Sequence, residues 1–241
     1  MCYHISTPDQ EELDAFFEAG VNVDEWTVLY HHLSAFSFAK IPVMTQEDRS
    51  RIKAIRWGLI PSWCADEAQA KEMRMMTLNA KSETLFEKSS FKTAAASRRC
   101  LVFVNGFYEW KEVKRKKYPH FIHMKDQPVF AMGGVYDSWV NTETGEIIDT
   151  CSIVTTEANE LLKEIHNTKL RMPLIFTKEK MNQWLDSSLA KEDVMKLMQP
   201  LPDGLLEAHT ISKLVSTKGE DTNVPEVKKV FVYDELNDLF G

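Results

Sequence analysis

After Thr7-Pro8-Asp9-Gln10 the apolar positions Leu13, Phe16 and Phe17 share one helical face. This predicts a helix capped by Thr7, with Pro8 in its first turn, Gln10 closing a capping box and a stop near Gly20. The pattern then shortens to strand-like runs at Trp26–Leu33, Pro42–Met44 and Lys53–Ile60, the last ending at Pro61. Residues 65–97 are rich in Ala, Glu, Lys and Met and predict short helices around loops. Four runs of β-branched and aromatic residues follow, at Cys100–Trp110, Pro119–His123, Pro128–Tyr136 and Ile148–Thr155. They predict successive strands of an antiparallel sheet. Helical patterns at 157–164, 178–186 and 190–198, and strands near 205–211 and 227–233, complete the chain. Hairpin-like strands with helices set around them predict an α+β fold rather than a parallel α/β sheet.

Composition adds little to that picture except through charge. With 44% hydrophobic and 27% charged residues, the 241-residue chain is expected to fold as an ordinary globular protein. The first sixteen residues hold no apolar run and no later stretch is long enough to cross a bilayer. The expectation is therefore a cytoplasmic protein without signal peptide or membrane partner. Cys2, Cys64, Cys100 and Cys151 are widely spaced, which predicts reduced thiols rather than disulfides or a metal site, and no cofactor motif is present. The net charge of −7 is unevenly distributed. Residues 1–50 carry 2 Lys+Arg against 9 Asp+Glu, residues 51–120 carry 15 against 7, and residues 121–241 carry 12 against 20. A basic middle can present a local field to phosphate, or can simply coat a solvated face.

The most distinctive position is Cys2. Once Met1 is removed, a single residue carries an α-amine of reference pKa about 7.7–8.0 beside a thiol of about 8.5. The amine can form a Schiff base with an aldehyde and the thiol can close a thiazolidine. Alternatively, the amine can act as base for the thiol, as in N-terminal nucleophile amidases. Against both stands the reading that position 2 is only a frayed chain end.

Four further segments accompany it: WGLIPSW (57–63), LNAKSET (78–84), VNGFYEWK (104–111) and IHNTKLRMPLIF (165–176). Together with Cys2, in this order and spacing, they resemble the SOS response-associated peptidases, the SRAP or abasic-site processing family. The resemblance runs through Ser212, Asn223 and Pro225. It implies one compact α+β domain over 1–241, with a curved, mainly antiparallel, barrel-like sheet and peripheral helices, that recognises abasic sites in single-stranded DNA or at strand junctions. It also implies a covalent thiazolidine link through the N-terminal cysteine, after autocatalytic removal of the initiator methionine. Carried onto this chain, the resemblance makes Cys2 the nucleophile and has Asn79 position the cysteine backbone and the sugar. Glu109 becomes the acid/base, and His166 the residue that opens the sugar and stabilises the linkage. Trp63 stacks on a base, Lys81 stands where the family has a phosphate-contacting arginine, and Arg171 lies in the RMP turn. The residue types suit these roles: a glutamate between Tyr108 and Trp110 is desolvated, histidine shuttles protons near neutrality, and asparagine donates and accepts without changing charge. Lys111, Lys114, Arg115, Lys116 and Lys117 form a basic hairpin-like cluster expected to be solvated.

The chain departs from the family pattern at four places. Cys2-Tyr3-His4 replaces Cys-Gly-Arg, so His4 takes the place of a phosphate-binding arginine and Tyr3 adds bulk beside the nucleophile. Cys64 replaces a second tryptophan, and the longer spacing from His166 to Arg171 predicts a looser loop. Two rival readings use the same residues: a glutamine amidotransferase-like hydrolase using Cys2, and a DNA-binding module without chemistry. His31-His32 and His120/His123 lack metal-ligand partners. The overall expectation is a monomer acting on DNA without metal or cofactor.

Overall fold

Two sheets share the chain, and the site lies where they meet. The computed structural model describes residues 2–18, 20–24 and 29–237. In chain order its first elements are β1 (His4–Ser6), α1 (Gln10–Phe17), β2 (Asn22–Val23), β3 (Leu33–Ser34), β4 (Lys40–Thr45) and β5 (Arg51–Trp57). Next come α2 (Glu67–Met76), β6 (Asn79–Lys81), α3 (Lys92–Ser97), β7 (Arg99–Val104), β8 (Gly106–Val113) and β9 (Lys116–Met124). The long strands β10 (Phe130–Val140) and β11 (Ile147–Glu157) precede α4 (Glu160–Ile165), β12 (Arg171–Pro173) and β13 (Ile175–Phe176). The chain finishes with α5 (Lys178–Trp184), α6 (Lys191–Leu197), β14 (Leu206–Thr210) and α7 (Asp234–Asn237).

Strands β5, β4, β7, β10 and β11 follow one another around a ring. It closes where β11 pairs parallel with β5 at Thr150↔Arg56 and Cys151↔Trp57. All other pairings within the ring are antiparallel, so the predicted barrel-like α+β fold is present, with one parallel seam. Closure removes free edges from these strands. The barrel is filled by Ile41, Val43, Trp57, Val102, Met132, Cys151 and Ile153, all buried, and Trp57 Nε1–H donates to Leu78 O at 2.8 Å. The second sheet runs β14-β9-β8-β1-β3 and lies against the first. No helix among the described residues is long and apolar enough to cross a membrane.

Five sequence expectations shift locally. The cap of α1 is Asp9, not Thr7: Asp9 Oδ1 accepts from Glu12 N at 2.9 Å and Glu12 Oε2 accepts from Asp9 N at 3.0 Å. Thr7 is unavailable because it pairs with Tyr30, its Oγ1 accepting from Tyr30 N at 2.9 Å. The run expected as one strand over Cys100–Trp110 breaks at Asn105-Gly106, where the chain leaves the barrel for the second sheet. A Cβ on Gly106 would stand 2.4 Å from the Phe121 ring and 2.6 Å from Ile122 O, so only glycine fits this crossing. Strand β5 stops at Trp57, before Ile60, because Gly58 turns with φ of 109°. The strand expected near 227–233 is instead a 3₁₀ turn at Pro225–Lys228, seeded by its proline, followed by one bridge from Val230 to Ile211. Of the strand expected at Trp26–Leu33, residues 26–28 lie outside the described residues and the remainder pairs only from Leu33.

Candidate active site

Strand β1 carries the N-terminus into the sheet junction by pairing with β8 at Ile5↔Phe107 and Ser6↔Gly106. This brings Cys2 toward Glu109, two residues beyond Phe107. Cys2 is 1% exposed and packs with the barrel residues. Strand β6 lies parallel to β11 with Asn79 opposite Ile153, and from there Asn79 Nδ2–H donates to Cys2 O at 2.8 Å. The other amide atom, Asn79 Oδ1, is buried without a hydrogen-bond partner.

Glu109 is 5% exposed. Its Oε2 lies 3.5 Å from His166 Nε2, and its Oε1 is buried with no partner. Burial lifts the carboxyl to a pKa of about 8, so it is mostly protonated at neutral pH. His166 caps α4, and its Nδ1–H donates to Arg171 O at 2.8 Å, which leaves Nε2 as an acceptor facing Glu109. Burial lowers the imidazole to about 4, so the pair meets as a neutral acid and a neutral base. The Cys2 thiol is pushed far up, first by burial and then by the Glu109 charge, so it is a thiol rather than a thiolate.

His166 is held firmly despite the long spacing to Arg171. Leu170 N donates back to His166 O at 2.9 Å, with Leu170 in the left-handed region at φ of 54°. The next residue, Asn167, clamps β8 from both sides: Oδ1 accepts from Glu112 N at 3.1 Å and Nδ2 donates to Glu112 O at 2.9 Å. Lys111 adds a 2.6 Å ion pair with Glu164 on α4. Asn167 thus fixes His166 against the strand that bears Glu109. Its position beside His166 in the IHNTK segment was the available signal for this role, and sequence reasoning passed over it.

A cleft of about 400 Å³ opens beside this cluster, lined among others by Tyr3, His4, Glu109, Trp110, His166 and Lys169. Lys117 of the basic hairpin is also on its wall, while Lys114 and Arg115 form the exposed turn at the hairpin tip. His4 does not stand alone: its Nδ1 is 2.9 Å from His32 Nε2, and its ring meets Trp110 edge-on at 4.9 Å. The remaining expected DNA residues fall on other elements. Lys81 is exposed at the end of β6. Trp63 is 47% exposed, with its indole N–H 3.3 Å from Ser89 O. Arg171 is engaged by Glu83 through a two-point ion pair and donates to Thr155 O at 2.6 Å. Glu83, two residues after Lys81, was not foreseen as its partner. Cys64, in place of a second tryptophan, is buried, and its carbonyl accepts from Trp139 Nε1 at 2.7 Å. Among the described residues no group of three His, Cys, Asp or Glu side chains is arranged to hold a metal.

The family model of the SOS response associated peptidases (SRAP) matches residues 1–218, nine-tenths of the chain. The chain belongs to the SRAP family. Among SRAP relatives, the abasic site processing protein YoqW of Bacillus subtilis is 38% identical over 78% of this chain and 80% of its own length. The abasic site processing protein HMCES of Gallus gallus is 32% identical over 70% of this chain, which spans only 54% of that longer protein. A crystal structure of a protein from Bacteroides thetaiotaomicron superposes with a TM-score of 0.89 at 34% identity, covering 96% of this chain and 100% of that one.

Proposed function

We propose that this SRAP protein acts in the DNA-damage response by binding abasic sites in single-stranded DNA or at strand junctions. In this reading Cys2, freed of Met1, links covalently to the sugar aldehyde. The observation that carries the reading is that Asn79 holds the Cys2 carbonyl while Glu109, near enough to act on the Cys2 thiol, pairs with His166, so three separate elements meet with the acid and base both neutral. The names of its SRAP relatives support the choice of an abasic sugar as target.

The chemistry begins with the amine, because burial suppresses the thiolate. The Cys2 amine adds to the aldehyde carbon, forming a C–N bond while the amine proton passes to the oxygen. Glu109, an acid with pKa of about 8, protonates the departing hydroxyl and water leaves, giving an iminium. The thiol then adds to the same carbon, forming the C–S bond, and its proton is taken up at His166 Nε2 or the Glu109 carboxylate. The sum is aldehyde plus aminothiol giving thiazolidine plus water, with no redox change. Asn79 holds the Cys2 carbonyl so that amine and thiol stay on one side. The same acid and base serve removal of Met1, in which water adds across the Met1–Cys2 amide. Lys81, Arg171 and Trp63 serve DNA outside the reacting centre. The chain works in the cytoplasm as a monomer, without metal or cofactor.

The test is a denaturing gel of the protein mixed with a single-stranded oligonucleotide bearing one abasic site, beside Cys2→Ala. A heat-resistant shifted band from the wild type only is expected, with an intact mass lacking Met1. Absence of the band, or a mass retaining Met1, overturns the proposal. Glutamine hydrolysis lost with Cys2→Ala would instead support an amidotransferase.

A further inference from the structure

The two histidines His4 and His32 are unrelated in the sequence, His4 standing in place of a phosphate-binding arginine and His32 in a His31-His32 pair that lacks metal-ligand partners. The fold joins them. His4 Nδ1 and His32 Nε2 are 2.9 Å apart, the ring planes are within 7° of parallel, and His32 Nδ1 is 2.7 Å from Thr222 Oγ1. His32 is buried, with the Tyr108 ring edge-on at 5.1 Å. The segment bearing Thr222 is pinned beside it, since Asn223 Oδ1 accepts from His31 N at 2.8 Å. With Nδ1 occupied, His4 has Nε2 left for the cleft, two residues from Cys2 and on the wall shared with Glu109, His166, Lys117 and Lys169.

We infer that His4 is a substrate-contacting residue that acts as a neutral hydrogen-bond donor to an uncharged oxygen of the lesion sugar, its tautomer set by His32 and Thr222. The Thr222 hydroxyl donates to His32 Nδ1, His32 Nε2–H donates to His4 Nδ1, and His4 presents Nε2–H to the cleft. Three observations support this assignment over a phosphate-binding cation. First, a 2.9 Å contact between two imidazoles requires one nitrogen to accept, so both rings cannot be charged on the facing atoms. Second, Thr222 is a neutral terminus, so no carboxylate completes the chain to stabilise an imidazolium. Third, burial depresses His4 to about 4 and His32 to about 3, in a cleft whose charged lining is Glu112, Lys117 and Lys169. His32 and Thr222 are positioning residues, acting through His4.

This inference rests on the abasic-sugar reading, so its test carries readouts that do not need crosslinking. Nitrogen-15 NMR of the imidazoles is expected to show His4 neutral with the proton on Nε2 between pH 6 and 8. Thr222→Val should alter that tautomer ratio without unfolding the protein. Binding of an unmodified single strand is measured against salt concentration: His4→Gln should leave the slope unchanged, whereas loss of a phosphate contact reduces it by about one unit of log–log slope. His4→Arg should steepen the slope. In the crosslinking assay His4→Phe should slow capture about tenfold, the equivalent of one lost hydrogen bond, with His4→Gln restoring part of the rate. A charged His4 at pH 7, or a shallower salt slope in His4→Gln, overturns the proposal whether or not the wild type crosslinks. A wild type that fails to crosslink while His4 is neutral and the slope unmoved overturns the abasic-sugar reading instead.

Discussion

Replacing Glu109 by glutamine should make the protein more stable at alkaline pH while abolishing its chemistry. Glu109 is buried at the sheet junction, with one oxygen 3.5 Å from His166 and the other unpartnered. Its pKa rises from the ordinary 4.5 to about 8, chiefly by desolvation. The folded state therefore holds this proton more tightly than the unfolded chain does. Below pH 4.5 both states are protonated and ionisation costs nothing. Between 4.5 and about 8 the unfolded chain releases the proton while the fold keeps it, so stability falls as pH rises. Above 8 both are ionised and the full cost stands. At about 1.4 kcal/mol per pH unit, that interval corresponds to a ceiling of ~5 kcal/mol. A glutamine side chain at this position has the same shape without the ionisation, though its amide inherits the unpartnered position at a cost of about 1–3 kcal/mol. Urea unfolding of wild type and Glu109→Gln at pH 5, 7 and 9 isolates the difference. The variant should gain on the wild type by a few kcal/mol from pH 5 to pH 9 and form no crosslink at any pH. Parallel stability profiles across that range would refute the argument, because they would mean the carboxyl ionises in the fold as it does in water.

Three further perturbations follow from the geometry. Asn79→Ala removes the hydrogen bond to the Cys2 carbonyl; it should cost about 1 kcal/mol of stability by thermal melting and slow crosslinking by about tenfold to a hundredfold in a gel time course. Glu83→Gln unlocks Arg171, and if Arg171 meets phosphate, fluorescence anisotropy with an unmodified single strand should show severalfold tighter binding and a steeper salt dependence; unchanged binding would remove Arg171 from the DNA path. Gly106→Ala pushes a methyl into the Phe121 ring and should lower stability by about 1–3 kcal/mol or more, seen as a lower Tm with crosslinking and melting lost together.

Much of the fold was legible because the main strands of both sheets are long and their β-branched and aromatic residues are bounded by turn signals. The extents of β9, β10 and β11 differ from expectation by only a few residues at each end. What could not be read depended on contacts across sequence. Thr7 has the chemistry of a cap and lost that role to a pairing with Tyr30, 23 residues away. The Asn105-Gly106 step reads as a turn, yet that it carries the chain between two sheets is decided by Phe121. At the site, individual residue types announced their chemistry while their partners did not. His166 and Glu109 lie far apart in the chain, and no spacing rule relates His4 to His32 or Arg171 to Glu83. Asn167 and Thr222 are ordinary loop residues in any local reading; their roles exist only because the fold brings β8 and the late segment around Thr222 to the same place.

The charge states around Cys2 also bear on how a lesion would be distinguished from intact DNA. Glu109, His166, His4 and His32 are all driven toward neutrality by burial, and the thiol is kept protonated for the same reason. A pocket of that kind offers nothing to a phosphate, which would be stripped of water without receiving a counter-charge. The cations lie instead on the outer wall and beyond it, at Lys117, Lys169 and Lys81. A nucleotide can therefore rest its backbone outside, and what meets the neutral groups must be uncharged. A sugar that keeps its base, or stays closed, offers no electrophile to the amine. Only a sugar that has lost its base and opened to the aldehyde meets both conditions, and on the proposed chemistry the neutral acid and base are already placed to commit it. Selectivity for the lesion then follows from exclusion rather than from recognition of any sequence, which accords with a cleft that has hydrogen-bonding groups in its depth and cations at its rim.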